Sequence, residues 1–258
     1  MDKEVIVRHP DGADSPDHVA VEEPLQITVD GHPVAVLMRT PGDDADLVRG
    51  FLLTEGVLSQ GEEWRRLDLE ARPNHAHVFF RDDTDWDVSR LSRNLFSASS
   101  CGICGKATIE AVMGESPPLP EGPVIPRESL LAAPERMRER QSVFARTGGL
   151  HACAWFTVDG SLGLIREDVG RHNAMDKMIG AGIAAGLSLH EGFLMVSGRL
   201  SFELVQKALA ARVAVVAAVS APSSLAVEFA ERANQTLVGF LRPPRFNLYT
   251  HPRRIRQN

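Results

Sequence analysis

Cysteine is scarce in this chain. Three residues, Cys101, Cys104 and Cys153, are spread over 258 positions, an odd number and too few to staple a chain long enough to bury its own core. The opening stretch MDKEVIVRHPDGADSPD is polar and acidic, without the charged-then-apolar pattern of a leader. A reducing, cytoplasmic setting is therefore expected. No apolar run approaches the roughly eighteen residues of a membrane span, since Val213 to Val219 is short and the helix-forming stretches are interrupted by charge; no membrane partner is expected. A net charge of −6 argues against general nucleic-acid binding. Also missing are a second Cys-x-x-Cys pair, a His-x-Glu pair and a hydrolase nucleophile elbow, so neither a closed zinc site, a deaminase zinc site nor a serine hydrolase is legible.

Positive charge is present, but locally. From Gly239 to Asn258 there are five arginines (Arg242, Arg245, Arg253, Arg254 and Arg256) and no carboxylate. A basic end on an acidic body suits phosphates on a ligand or an acidic partner surface, or is simply a solvated tail.

Hydrophobic periodicity divides the chain in two. Leu25 to Arg39 alternates around Asp30-Gly31, a hairpin dipeptide. Asp43 to Leu58 opens with acids and sets Leu47, Phe51, Leu52 and Leu58 on one helical face. Trp64 to Glu70 and His75 to Arg81 read as two further strands, giving a small α+β unit. Glu115 to Pro126 holds five prolines and reads as a linker. Arg127 to Arg146 is charged on alternating sign and reads as one partly exposed helix, and Cys153 to Val158 with Leu162 to Glu167 forms a second hairpin around Asp159-Gly160. Then come a strand (Phe193 to Ser197), a helix capped by Ser201, the unbroken apolar run Val213 to Val219, a helix capped by Ser223 or Ser224, and a strand at Leu237 to Leu241. This β-α-β-α-β order predicts a three-layer α/β domain with at least three neighbouring parallel strands. The expected fold class is thus α/β, with a small α+β domain over residues 1–118 and the α/β domain over 119–258.

The pair Cys101 and Cys104 sits in SASSCGICGKA, among serines and glycines that pack poorly and favour an exposed loop. Lys106 to Met113 is helix-forming, so the thiols stand near a helix N-terminus and a lysine, both of which favour thiolate. Lowering a thiol pKa from about 8.5 to about 7 raises the thiolate fraction at neutral pH roughly tenfold. Zinc would need ligands that only Cys153, His151 and His172 could supply. A dithiol redox couple and a nucleophilic, persulfide-forming thiol both remain open.

Separated motifs in a fixed order carry a resemblance. SSCGICGKATIE, TGGLHACAWF, REDVGRHNAMDKMIG, SGRLSFELVQKA, SAPSSLAVEFAERANQTLVGFLR and FNLYTHPRRI resemble the formate dehydrogenase accessory sulfurtransferase family, FdhD, over most of the chain from Leu25 onward. The resemblance implies a sulfur carrier that accepts sulfane sulfur from a cysteine desulfurase as a persulfide. It passes that sulfur to the molybdenum (or tungsten) bis(molybdopterin guanine dinucleotide) cofactor, a bound substrate, before insertion into formate dehydrogenase. It also implies Cys101 as the persulfide carrier with Cys104 assisting, no resident metal, a homodimer, and a C-terminal domain resembling the cytidine deaminase fold without its zinc ligands. The family's cofactor-binding stretch corresponds here to Phe240, Leu241, Arg242, Pro243, Pro244 and Arg245. The family pattern usually has glycine where Pro244 stands, so a backbone donor is lost there. A non-catalytic chaperone that binds and delivers the cofactor is the alternative.

The remaining motifs read two ways. Glu167 to Lys177 (EDVGRHNAMDK) could touch ligand through His172, or serve as scaffold with Asp168 or Asn173 capping a helix and Arg171 pairing with Asp168 or Asp176. Thr147-Gly148-Gly149 permits a tight turn near a ligand or merely starts a strand, and His151 beside it reads as a scaffold histidine. Ser197-Gly198-Arg199 between strand and helix could cradle a phosphate, and Cys153, in an apparent strand, reads as inert core.

Overall fold

The computed structural model describes residues 1–58, 64–80 and 117–256. Cys101, Cys104 and the helix expected over Lys106 to Met113 lie outside the described residues.

The chain opens with an antiparallel ribbon, β1 (Asp2–Arg8) and β2 (Asp14–Ala20). It has no counterpart in the sequence reading, because it is mostly polar: Lys3, Glu4, Asp14 and Asp17 are all exposed, and Ile6, in the one short apolar run Val5 to Val7, is exposed too. β3 (Glu23–Val29) and β4 (His32–Arg39) then form the expected hairpin, with Asp30 and Gly31 at φ 47° and 81°, as a two-residue turn of positive φ requires. β6 (His75–Phe79) joins β3 in parallel and β5 (Arg66–Asp68) lies antiparallel to β6, giving the order β4-β3-β6-β5. Leu25, Ile27, Val29, Ala76 and Val78 on this sheet pack on Leu47, Val48 and Leu52 of α1 (Asp44–Thr54).

A second sheet of six strands has the order β13-β12-β11-β10-β8-β9. Its centre is the expected parallel set, β10 (Gly192–Val196), β11 (Val215–Ala218) and β12 (Thr236–Arg242). The hairpin of β8 (His151–Thr157) and β9 (Leu162–Asp168) extends it on one side and β13 (Arg245–Leu248) on the other. Alternation along β10 serves two cores. Phe193 and Met195 meet Leu130, Ala133 and Met137 of α2 (Arg127–Arg138). Leu194 and Val196 join a cluster with Met175 and Met178 of α4 (Arg171–Ala184), Val205 of α5 (Phe202–Ala210) and Phe229 of α6 (Ser224–Arg232). β11 is fully buried on both faces, which is why its sequence shows no polar alternation. The result is three layers, helices on each side of a mixed sheet.

Two local readings are corrected. The single helix expected over Arg127 to Arg146 is two, α2 and α3 (Ser142–Thr147). The chain turns between them so that the Glu167 carboxylate accepts from the Val143 and Phe144 amides at 3.1 and 2.9 Å, capping the new N-terminus. The proline-rich linker ends in a short strand, β7 (Ile125–Pro126), paired in parallel with β14 (Ile255–Arg256) near the C-terminus.

The two sheets are joined through α1 and α4, whose backbones touch. A Cβ on Gly50 or Gly180 would come within 1.9 Å of the Asp176 or Asp46 carbonyl oxygen, so glycine is what lets these helices approach.

Candidate functional site

Strands β9, β10, β11 and β12 run the same way, and β8 begins where they end. Their carboxyl ends therefore gather loops that are far apart in sequence: Thr147 to Gly149, Asp168 to Arg171, Ser197 to Ser201, Val219 to Ser223 and Arg242 to Arg245. Ligands of open α/β sheets bind along this edge. Five of the sequence motifs thus converge on it.

The loops are tied to one another by backbone. The Ala152 amide donates to Ser197 Oγ at 2.9 Å, and the Ser197 amide returns a bond to the Ala152 carbonyl at 3.0 Å. Gly198 faces the His151 ring, where a Cβ would stand 3.3 Å from Nδ1. Leu200 bridges to Pro222, and Arg242 Nε donates to the Val219 carbonyl at 3.1 Å.

In Phe240 to Arg245, Leu241 is core and the other five residues are exposed. Arg242 and Arg245 face each other across the strand pair, and Pro243 and Pro244 form the turn through a cis peptide bond. Beside the turn a cleft of about 700 Å³ is lined by Pro244 to Tyr249 and by Arg127, which enters from α2. Sequence reasoning missed Arg127, for it lies 117 positions from Pro244 and carries no local motif.

Glu167 to Lys177 is largely scaffold. Asp168 is fully buried and accepts from the Thr40 amide (3.1 Å), the Gly170 amide (2.9 Å) and Asn173 Nδ2 (3.0 Å) while pairing with Lys177 Nζ at 2.7 Å. Asp176 pairs with Lys207 Nζ at 2.9 Å and accepts from Thr54 Oγ1 at 2.8 Å, and Lys207 also reaches Glu55 at 3.0 Å. These bonds join β4 and α1 to α4 and α5. Arg171 pairs with neither Asp168 nor Asp176, in contrast to the sequence reading; lysines take both places.

Burial decides the electrostatics. His172 is pushed down to about 4 by burial and then by the charges of Arg171 and Lys207, so it is neutral at physiological pH, and its buried Nε2 has no hydrogen-bond partner among the described residues. Burial and Arg171 also lower His151. Asp176 is pushed up to about 6 by burial, against the opposing pull of Lys207. Cys153 has no exposed surface, and burial, reinforced by Asp176, holds its thiol far above the ordinary range. It is an inert hydrophobe, as its place in the strand suggested.

Among the described residues no group of three or more histidine, cysteine or carboxylate side chains is placed to hold a metal ion. No helix among them is long and apolar enough to cross a membrane.

Comparison with known proteins follows the same outline. The chain is 46% identical to the sulfur carrier protein FdhD of Streptomyces avermitilis over 97% of this chain and 94% of that one. It is 47% identical to the protein of that name from Mycobacterium tuberculosis, over 93% and 92%, and 44% identical to that of Sulfolobus acidocaldarius, over 94% and 93%. A crystal structure from Desulfotalea psychrophila, provisionally assigned as a formate dehydrogenase accessory protein, shares the fold at a TM-score of 0.78 and 24% identity, covering 99% of both chains. A family model matches residues 20–256, and the chain belongs to the FdhD/NarQ family.

Proposed function

We propose that this protein is a sulfur carrier serving formate dehydrogenase, with Cys101 as the persulfide-bearing residue and Cys104 as its partner. The observation that carries the reading is the state of Cys153. Of three cysteines, it is fully buried with a thiol held protonated, which leaves Cys101 and Cys104 for chemistry, and the relatives are named sulfur carriers over nearly their whole length. The Cys101 thiolate attacks the outer sulfur of a cysteine desulfurase persulfide. The donor S–S bond breaks, Cys101 becomes the persulfide and the desulfurase thiolate leaves. In delivery, the Cys104 thiolate attacks the inner sulfur of that persulfide. The outer sulfur departs as sulfide toward the metal of the molybdenum bis(molybdopterin guanine dinucleotide) substrate, and the two protein thiols are oxidised to a disulfide, which balances the electrons. The stretch Phe240 to Arg245 holds that substrate through its phosphates, for which Arg242 and Arg245 supply forked donors. The protein is read as cytosolic and homodimeric.

A second reading, a cofactor-delivery chaperone without sulfur chemistry, is favoured by the arginine-bordered cleft alone. Maturation of formate dehydrogenase in cells carrying Cys101→Ala separates the two. Loss of dehydrogenase activity with normal levels of the folded variant supports the carrier; full activity supports the chaperone.

A further inference from the structure

Strand β6 carries two histidines on one face. Ala76 and Val78 pack toward α1, so by strand alternation His75 and His77 stand on the opposite face of the sheet. That face is open: Val36, Met38 and Phe79, which share it, are all exposed. The two imidazoles are half-buried and stack with their centroids 5.9 Å apart and their planes at 28°.

The hydrogen bonds at Nδ1 fix the tautomer of each ring. His75 Nδ1 lies 2.9 Å from the Pro73 carbonyl, and a carbonyl oxygen only accepts, so this nitrogen carries the proton. His77 Nδ1 lies 2.8 Å from Thr28 Oγ1, whose one proton goes to the Ala76 carbonyl at 3.4 Å. The hydroxyl therefore accepts from this ring as well. Both lone pairs are left at Nε2, and among the described residues neither Nε2 has a hydrogen-bond partner. An imidazole that donates through one nitrogen and offers the other bare is prepared as a metal ligand. Asp68, across β5 from His77, adds negative charge nearby. It is not itself a ligand, because the Glu70 and Ala71 amides, at 3.0 Å each, and the Arg66 guanidinium occupy its oxygens.

We propose that His75 and His77 form a two-histidine site for a divalent transition ion of the zinc class, bound through Nε2 of both rings with water in the remaining positions. Paired imidazoles select such ions over magnesium and calcium, which take oxygen ligands. Zn–N bonds of about 2.0–2.1 Å put two donors of one ion within about 4 Å of each other. Two residues along a strand span roughly 6.6 Å, so rings 5.9 Å apart already lean together, and rotation about χ1 and χ2 closes the gap. With two protein ligands instead of three or four, the ion is exchangeable. The site uses neither Cys101 nor Cys104 and stands independently of the sulfur-carrier reading.

Proton–nitrogen correlation spectra of the histidine rings, recorded while zinc chloride is added to the full chain, test it. The chain carries Cys101→Ala and Cys104→Ala so that no thiol pair competes for the ion. Before zinc, both rings should show the Nδ1–H tautomer. Zinc should then shift the Nε2 resonances of His75 and His77 together, whereas magnesium chloride should move neither. His75→Asn and His77→Asn should each weaken zinc about tenfold or more, and Thr28→Val, which keeps the side-chain shape and removes the acceptor, about tenfold, the scale on which ligands and their hydrogen-bonded supports act. His9→Asn, exposed on the β1–β2 ribbon, is the control that binds like the parent. Zinc that shifts neither ring, or only one of them, overturns the proposal, as does parent-like binding by either histidine variant. An Nε2–H tautomer on the free rings overturns the assignment on which it rests.

Discussion

Lys207 offers the sharpest test of how the α1, α4 and α5 junction is held. Its ammonium bridges Asp176 and Glu55 and accompanies Thr54 Oγ1 at 2.9 Å, with Asp176 almost completely buried. Lys207→Met keeps the length of the stem and removes the charge, leaving two carboxylates in the junction without that cation. Breaking a buried pair from one side costs about 3–5 kcal/mol, a large share of a total stability of about 5–15 kcal/mol. The pH dependence has a definite sign. The folded-state pKa of Asp176 is already raised from 3.8 to about 6 by burial, and without the lysine it rises further. The folded state then holds a proton that the unfolded chain has released, so stability is greatest below about pH 4 and falls as pH rises through the folded value. The slope approaches about 1.4 kcal/mol per pH unit in that window. Urea unfolding of the parent, Lys207→Met, and Lys207→Met with Asp176→Asn at pH 5, 6, 7 and 8 measures it. The single variant should lose several kcal/mol at pH 7 and recover part of it at pH 5, and the double variant should show a flatter profile. A single variant within about 1 kcal/mol of the parent at pH 7, or one with the parent's slope, would show that Lys207 does not hold this junction through its charge.

Three further outcomes are expected. Gly50→Ala and Gly180→Ala each force a methyl into a backbone carbonyl 1.9 Å away and should cost at least about 2 kcal/mol in urea unfolding, since backbone cannot give way as a side chain can. Iodoacetamide should leave Cys153 unmodified in the folded protein and reach it on unfolding, read by peptide mapping, because that thiol has no exposed surface and is held protonated. Glu167→Gln should lower stability by about 1 kcal/mol and speed amide exchange at Val143 and Phe144, whose N–H groups the carboxylate caps.

Much of the element order from Leu25 onward was legible, because apolar periodicity and turn chemistry agree there. Asp30-Gly31 adopts the positive φ angles that its hairpin needs, and Ser223 Oγ accepts from the Ala226 amide as a cap should. Ser201 holds the N-cap position as read, yet its side chain makes no capping bond. What could not be read depends on distant partners. β2 is mostly polar and β1 holds only the short run Val5 to Val7 with Ile6 exposed, so little burial signal marks them. Nothing local to β8 says that it pairs with β10. Lys207 reaches partners 31 and 152 positions away, and the lysines displace Arg171 from both acids because only the packed helices fix which side chain arrives. The arginines of the C-terminal stretch were visible as charge, whereas the cleft beside them needed Arg127 from α2.

The proposed role of Cys101 as the sulfur carrier is open to direct measurement. Intact-protein mass spectrometry after incubation with a cysteine desulfurase and cysteine addresses it directly, with the parent compared to Cys101→Ala and Cys104→Ala. A reducible gain of one sulfur mass in the parent and in Cys104→Ala, absent from Cys101→Ala, is the expected result. No added sulfur on any of the three with a competent desulfurase, or sulfur retained by Cys101→Ala, would contradict it.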